Sequence, residues 1–310
     1  MTETETGDSE TVVVLNPKSG SGDHTGLVRD WAALKGHTVR TTQREQHAIQ
    51  LAQQAAGNGA SEIIAVGGDG TLNEVVKGIH AAGKIETVTV GVIPAGTGND
   101  FATNIGIPGI ERAFDVLESG ERRQLDLGMA GDVPFLNSCV AGITADASQE
   151  TSAEDKTRVG VLAYVLTTLR MASEFSGLEL TASVTEGAES QTVWDGTASV
   201  VLVGNGRRFS MAGTEQADLE DGLLDVTIIK DAASIDLATD HLWERLVQTE
   251  GENLERLFAS SIELTVDSEK PTVFSLDGEI LELDSVTVTT NPNVLEMYVG
   301  EEYEPQPNGE

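Results

Sequence analysis

The chain has a single cysteine, Cys139, among 310 residues. That count excludes a disulfide within the chain and a cysteine-built metal centre. Positive charge is also scarce. Nineteen Lys and Arg stand against 51 Asp and Glu, a formal net charge of −32. Nothing forms the basic stripe of a nucleic-acid binder, so no nucleic-acid partner is expected. Long apolar runs are missing too: none reaches the roughly 18 residues of a membrane-spanning helix. The opening MTETETGDSE is acidic and polar, the opposite of a secretory signal. With the lone thiol, this predicts a cytoplasmic protein. An acidic disordered chain is excluded as well, because 39% of the residues are hydrophobic. At this length the chain buries a substantial core and is expected to form two domains. The acid is spread along the whole length. Such self-repulsion suits a salt-loving source, where the Debye length falls to about 3 Å at 1 M salt.

What the chain does have is three glycine-rich turns behind apolar, β-branched runs. Residues 63–74 read IIAVGGDGTLNE, and Leu72, Val75, Val76 and Ile79 then fall on one helical face. Strand, glycine turn and helix start place backbone N–H groups where an anion can sit. Three glycines in four positions allow close approach and positive φ. A carboxylate in such a turn, Asp69, would repel a phosphate by itself. It fits a metal ion, a ribose or a proton in transfer; the bland alternative is a solvent-facing Asp in a tight turn. Residues 11–15 (TVVVL) lead likewise into NPKSGSG, and residues 88–93 (VTVGVI) into PAGTGNDF. Turns at the carboxyl ends of parallel strands converge on one crevice. GxxxxGK[ST] is absent throughout, so this is no Walker A loop. Lys18 is a phosphate contact or a solvated lysine. Thr97 offers a hydroxyl to a phosphate or ribose, and Asn99 and Asp100 suit the N-cap of a short helix from Phe101.

NPKSGSG, GGDGTLNEVVKGI and GVIPAGTGNDFA, in that order, resemble the catalytic domain of diacylglycerol and sphingosine kinases. The soluble prokaryotic lipid kinases are the nearest members. GGDGT alone also suits NAD kinases and phosphofructokinases; the three stretches together are specific. The resemblance covers nearly the whole chain and is strongest over residues 11–108. It implies ATP and Mg²⁺. It lays Asn16, Pro17, Lys18, Ser19 and Gly20 against the nucleotide. It adds Gly68, Gly70, Thr71, Leu72, Asn73 and Glu74 from the central stretch, and Thr97 from the third. Thr42, six residues before Ala48, takes the place of a nucleotide-contacting threonine, with Thr41 the alternative register.

Helical stripes are expected at Leu27, Val28, Trp31 and Leu34, and again over residues 46–56. From Arg123 the βα rhythm gives way to short alternating strands with turns between them, an antiparallel β domain. The expected fold is α/β. An N-terminal nucleotide-binding α/β domain spans residues 1–126, and the last strand, 294–300, returns to it as in the resembled family. A C-terminal β-rich, sandwich-like domain spans 127–293, and 301–310 form an acidic tail. Helices are expected near 159–171 and 235–247. The first, VGVLAYVLTTLRM, is either buried or laid on a lipid surface.

Three stretches of the second domain carry notable carboxylates: Asp126, residues 218–223 (DLEDGL) and residues 275–279 (SLDGE). An acidic turn with nearby carbonyls suits a hard cation, or is only an acidic turn. The resemblance places Mg²⁺ on Asp221 with the carbonyls of Asp218 and Leu223. Asp-Gly at 277–278 reads as a hairpin turn. In the bacterial lipid kinases the following glutamate, here Glu279, is the proton acceptor; in sphingosine kinases that role falls to the aspartate matching Asp69. Both remain candidates. The activity implied is phosphoryl transfer from ATP to a lipid hydroxyl, with peripheral contact at the membrane surface and a homodimer as an allowed assembly. Two rivals are an NAD kinase, against which NPxSG and GTGNDF argue, and a non-catalytic nucleotide-binding regulator, against which intact Asp69, Asp221 and Glu279 argue.

The charge of −32 predicts that stability rises steeply from low salt towards molar KCl. The melting temperature should climb between about 0.1 M and 2 M KCl as screening shortens the Debye length; equal values would refute it.

Overall fold

The computed structural model describes residues 10–142, 177–186, 189–210, 213–230, 254–267 and 272–305. The chain divides into two compact units, Met1–Leu125 with Val294–Tyr303, and Asp126–Asn293 with Glu304–Glu310. The helices expected near 159–171 and 235–247 lie outside the described residues.

In the first unit, strands β1 (Thr11–Leu15), β2 (Thr38–Thr41), β3 (Glu62–Gly67) and β4 (Thr89–Pro94) alternate with helices α1 (His24–Lys35), α2 (His47–Gly57) and α3 (Asp69–Ala81). The strands are parallel in the order β2-β1-β3-β4. A parallel sheet has helices on its faces, and β1 and β4 are buried at every position. After β4 come α4 (Asp100–Asn104), α5 (Ile110–Ser119) and β5 (Glu121–Ala130). Residues 294–299, the end of the chain's last strand, run parallel to β4 with Met297 opposite Val90.

The helices pack by different rules. On α3, Leu72, Val75, Val76 and Ile79 are buried as their spacing predicts. Helix α2 turns only alanines inward, Ala48, Ala52, Ala55 and Ala56. Its backbone therefore lies close to α3, where a Cβ on Gly78 would stand 2.3 Å from the Ile49 carbonyl oxygen. The expected α1 stripe is half wrong. Val28 and Trp31 are buried, but Leu27 is 52% and Leu34 87% exposed. The Trp31 ring sets that face, packed at a tilt between His37 and Phe114 with centroids 5.1 and 5.0 Å away. Leu27 and Leu34, on the flank, are turned outward.

The second unit is antiparallel. One sheet orders β14 (Leu254–Ala259), β13 (Leu224–Ile229), β10 (Val200–Gly204), β7 (Ser138–Ala141), β16 (Thr272–Leu276) and β17 (Glu279–Leu283). Facing it are β9 (Glu189–Ala198), β8 (Leu178–Glu186), β15 (Ser261–Val266) and the first part of β18 (Ser285–Val299). β6 (Val133–Phe135) pairs with β5, and β11 (Arg207–Ser210) with β12 (Gly213–Gln216). Inward residues of both sheets, among them Phe135, Val203, Val226, Leu264, Phe274 and Val288, form one core. This is the alternation of a β-sandwich. Cys139 is fully buried there, and burial pushes its thiol up to about 12.

Candidate functional site

The glycine turn after β3 is built differently from the expected loop. Gly68 is extended (φ −89°, ψ −174°) and α3 begins at Asp69, so Asp69, Gly70 and Thr71 form the first helical turn. None of Gly67, Gly68 and Gly70 has a positive φ; the expectation of left-handed backbone here is wrong. Close approach is what the glycines serve. A Cβ on Gly96 would lie 2.4 Å from the Gly68 Cα, and one on Gly67 would lie 2.4 Å from the Thr71 hydroxyl. Gly20 does have a left-handed φ of +54°, and its Cβ would meet the Ala95 carbonyl oxygen at 2.5 Å. Gly70 differs from all of these, with nothing within 4 Å of its Cβ position.

Hydrogen bonds tie the three turns together. The Asn16 amide N–H donates to the Val66 carbonyl (2.9 Å) and that of Ala95 to the Gly67 carbonyl (2.8 Å). The Asn16 side-chain amide donates to the Thr71 hydroxyl at 3.1 Å. The Asp69 carboxylate accepts the backbone N–H groups of Asp100 (3.0 Å) and Phe101 (3.1 Å). It thus caps α4 from a distant position, as a carboxylate at a helix N-terminus does. The expected caps act otherwise: Asn99 exchanges two hydrogen bonds with Gly96, at 3.0 and 2.9 Å, and Asp100 is itself the first helical residue.

Beside these turns lies a pocket of about 280 Å³, lined by Asn16, Lys18, Thr42, Gln43, Arg44, Glu45, Ala48, Thr71 and Glu74. Five of these, Asn16, Lys18, Thr42, Thr71 and Glu74, are sequence-predicted contacts. Glu74 also shapes the wall, since its carboxylate accepts the N–H groups of Gln46 (3.3 Å) and Ala48 (3.1 Å). Gln46 is left-handed at φ 57° and offers no side-chain cap to α2, so Glu74 supplies it. Leu72 and Asn73 are 1% and 2% exposed and are not among the residues lining the pocket. Pro17, Ser19, Gly20 and Gly68 belong to the adjoining turns, and Thr97 is exposed on the third. Gln43, Arg44 and Glu45 escaped sequence reasoning. The one available signal was their place after the carboxyl end of β2, where such sheets bind ligands.

In the second unit, Asp126 is 2% exposed. Its carboxylate accepts the N–H groups of Gly222 (2.7 Å) and Asn293 (2.8 Å). Burial raises its pKa above the ordinary carboxylate value against the pull of those bonds, and Asp218 and Glu220 push the same way. Asp221 is pushed to about 6, first by burial, then by Asp218 and Asp126. Among the described residues no three His, Cys, Asp or Glu side chains are grouped to hold a metal alone. The set expected for Mg²⁺ is a different kind, one carboxylate from Asp221 and the carbonyls of Asp218 and Leu223. Asp221 is exposed and Asp218 partly buried, and one carboxylate with two backbone carbonyls is an all-oxygen donor set of the kind a hard divalent cation takes, with water completing it. The Asp277-Gly278 turn joins β16 to β17 with φ of +48° and +92°, the conformation of a two-residue hairpin. The Asp277 carboxylate accepts the N–H groups of Leu136 (2.6 Å), Asn137 (2.9 Å) and Ser138 (2.8 Å). Glu279 follows as the first residue of β17.

Residues 10–130 match the family model described as "Diacylglycerol kinase catalytic domain". Residues 137–299 match that described as "YegS C-terminal NAD kinase beta sandwich-like domain". A Pectobacterium atrosepticum protein named "Probable lipid kinase YegS-like" is 30% identical, over 87% of this chain and 89% of that one. The chain belongs to the YegS-like lipid kinase family. A kinase of this family is a phosphotransferase, and its fold is the α/β domain followed by the β-sandwich described above. A protein of the same name from Pseudomonas aeruginosa is 30% identical, over 84% of each chain. Among solved structures, one from Bacillus anthracis aligns to this kinase with a TM-score of 0.73 at 25% identity, over 96% and 97% of the two chains.

Two glycines separate packing from open space. Gly96→Ala should cost about 1–3 kcal/mol, because its Cβ has backbone on the far side. Gly70→Ala should be neutral or stabilising, since Ala is favoured over Gly in a helix by about 1 kcal/mol. Melting temperatures of the two variants check this ordering.

Proposed function

We propose that this kinase transfers the γ-phosphoryl group of ATP to the hydroxyl of a lipid alcohol, diacylglycerol or a related acceptor. The observation that carries the reading is the pocket at Asn16, Lys18, Thr42, Thr71 and Glu74, bordered by glycine turns. Gly70 supports it: no packing or backbone strain calls for a glycine there, and a phosphate approaching the first turn of α3 would. The positive end of α3 draws the phosphates, as helix N-termini draw anions, with the Gly70 N–H as the donor of that turn, since those of Asp69 and Thr71 donate to the Gly98 and Gly68 carbonyls; Lys18 adds positive charge. Asp69 is committed to the amides of Asp100 and Phe101. That favours Glu279 as the base that takes the hydroxyl proton, with Asp69 framing the phosphate turn. Asp221 and the carbonyls of Asp218 and Leu223 would hold Mg²⁺, which when bound supplies divalent charge among carboxylates that otherwise repel one another. Among the described residues no helix is long and apolar enough to cross a membrane. The lipid is met at the membrane surface by peripheral contact, in a cytoplasmic enzyme adapted to salt.

Labelled ATP, Mg²⁺, NAD and a total lipid extract should yield a labelled phospholipid; a product labelled only as inorganic phosphate or NADP would overturn the reading. Glu279→Gln keeps shape and removes basicity, so kcat should fall about 10²- to 10⁴-fold with ATP affinity unchanged. Asp221→Ala should abolish the rise in melting temperature that Mg²⁺ gives the wild type, since an ion bound only by the folded state stabilises it.

Gly70→Val tests the phosphate site on its own. The variant should melt close to the wild type, while calorimetry finds ATP bound roughly tenfold more weakly or worse, equivalent to about 1.4 kcal/mol. A folded Gly70→Val chain with unchanged ATP affinity would move the phosphates elsewhere.

A further inference from the structure

Gln43, Arg44 and Glu45 line one corner of the pocket in the first unit. They belong to the segment that joins β2 to α2, and it is fixed at both ends. At its start the Thr42 N–H donates to the Leu15 carbonyl at 2.8 Å. At its end the Glu74 carboxylate accepts the N–H groups of Gln46 and Ala48. Between the two, His47 reaches back to the segment. The Gln43 N–H donates to its ring Nδ1 at 3.1 Å, and the His47 N–H donates to the Arg44 carbonyl at 3.3 Å. His47 is the first residue of α2, half-buried, and is not among the residues lining the pocket. A second histidine holds another wall. His24, 6% exposed, places Nε2 3.1 Å from the carbonyl oxygen of Asn16, itself a lining residue.

The two rings differ in what a proton does to them. A carbonyl oxygen only accepts, so His24 carries hydrogen on Nε2, and it does so whether its ring is neutral or charged. A backbone N–H only donates, so Nδ1 of His47 must offer a lone pair, and its ring is the neutral tautomer with hydrogen on Nε2. A further proton would sit on Nδ1 and face the Gln43 N–H, donor against donor. Imidazole is the one side chain whose ordinary titration falls between about pH 5 and 8. The charged groups around this corner are Arg44 and Glu45 in the segment, Glu74 on α3, Lys18 on the turn after β1 and Arg40 on β2. Arg44 is bonded to the Gln50 side chain at 2.7 Å and Arg40 to the Leu51 carbonyl at 3.4 Å. The two carboxylates favour a charged ring and the three cations oppose it.

We propose that His47 is a positioning residue of the nucleotide pocket: its neutral Nδ1 holds the Gln43 end of the wall, and protonation of the ring frees that wall and weakens ATP binding. The proposal rests on the reading of this pocket as the nucleotide site. It adds that ATP affinity depends on pH through one hydrogen bond, while the bond from His24 to Asn16 survives in either charge state. His47 acts through Gln43, Arg44 and Glu45 and touches no reacting atom.

The test is calorimetry of ATP binding to the full chain at about pH 8 and about pH 5.5, on either side of an ordinary imidazole titration. The chains are the wild type, His47→Asn and His47→Ala, in the same salt. The Asn side chain puts an oxygen in the place of Nδ1 and does not titrate; Ala removes the acceptor. Asp221 and ATP itself also titrate over this range, equally in every chain, so the comparison is between chains. On going to the lower pH the wild type should lose about 3- to 10-fold more affinity than His47→Asn, the worth of one hydrogen bond. At the higher pH His47→Asn should match the wild type, and His47→Ala should bind more weakly by the same factor. A wild-type pH profile in His47→Asn overturns the proposal, as does wild-type affinity in His47→Ala at the higher pH. A wild type that binds no ATP at either pH removes the pocket reading itself, and the proposal with it. Turnover with labelled ATP and total lipid extract supplies the second readout. In His47→Ala at the higher pH, KM for ATP should rise with kcat unchanged; a fall in kcat at equal KM overturns the proposal. Should His47→Ala fail to fold, His47→Leu carries the same measurements.

Discussion

At Gly68 and Gly96 two backbones touch, and the first unit is arranged so that they can. The two turns follow neighbouring parallel strands, β3 and β4, whose register is continuous from Glu62 opposite Thr89 to Gly67 opposite Pro94. A side chain at Gly96 would wedge the turns apart, with its Cβ 2.4 Å from the Gly68 Cα, and one at Gly68 would press on Gly98 and Gly96 at 3.1 and 3.2 Å. Around that contact the polar bonds fall into place. Asp69 reaches across to the amides that open α4, Asn99 folds back onto Gly96, and Asn16 comes in from β1 to hold Thr71. The result is a floor of backbone with few side chains on it, next to a pocket whose walls are mostly polar side chains. Rigid backbone donors suit phosphate groups because they need no reordering on binding.

The second unit solves a related problem with carboxylates. Asp126 and Asp277 each accept two or three backbone amides from residues far along the chain. Burying a carboxylate is unfavourable unless such bonds compensate it. Burial still raises both groups above the usual carboxylate range. Two of the chain's many acids thus act as internal fasteners, and their neighbours Asp221 and Glu279 stand in turns whose shape those fasteners determine. In a chain this acidic, composition cannot tell a fastener from a surface charge.

The parts legible in the sequence were those with a local signature. β-branched runs ending in glycine marked β1, β3 and β4, and the change to period-two alternation marked the antiparallel sandwich. Asp-Gly gave the β16–β17 hairpin by turn chemistry alone. The start of α3 was misplaced because Asp-Gly-Thr in a first helical turn looks like loop. The α1 stripe failed because leucines flanking Trp31 are indistinguishable by spacing from leucines facing the core. Gln43, Arg44 and Glu45 carry no apolar pattern, and their place on the pocket wall depends on Glu74, 28 residues from Gln46.

The lone cysteine has a practical side. Cys139 is fully enclosed in the sandwich core with its thiol near 12, so in neutral solution it is almost wholly protonated and out of reach of alkylating reagents. The folded chain is therefore a chemically silent background for thiol labelling. A cysteine placed at an exposed position such as Thr97 or Leu34 would be its one reactive sulfur. A fluorophore or spin label could then be attached at a chosen point without first removing a native thiol. Reactivity at Cys139 itself would report opening of the sandwich.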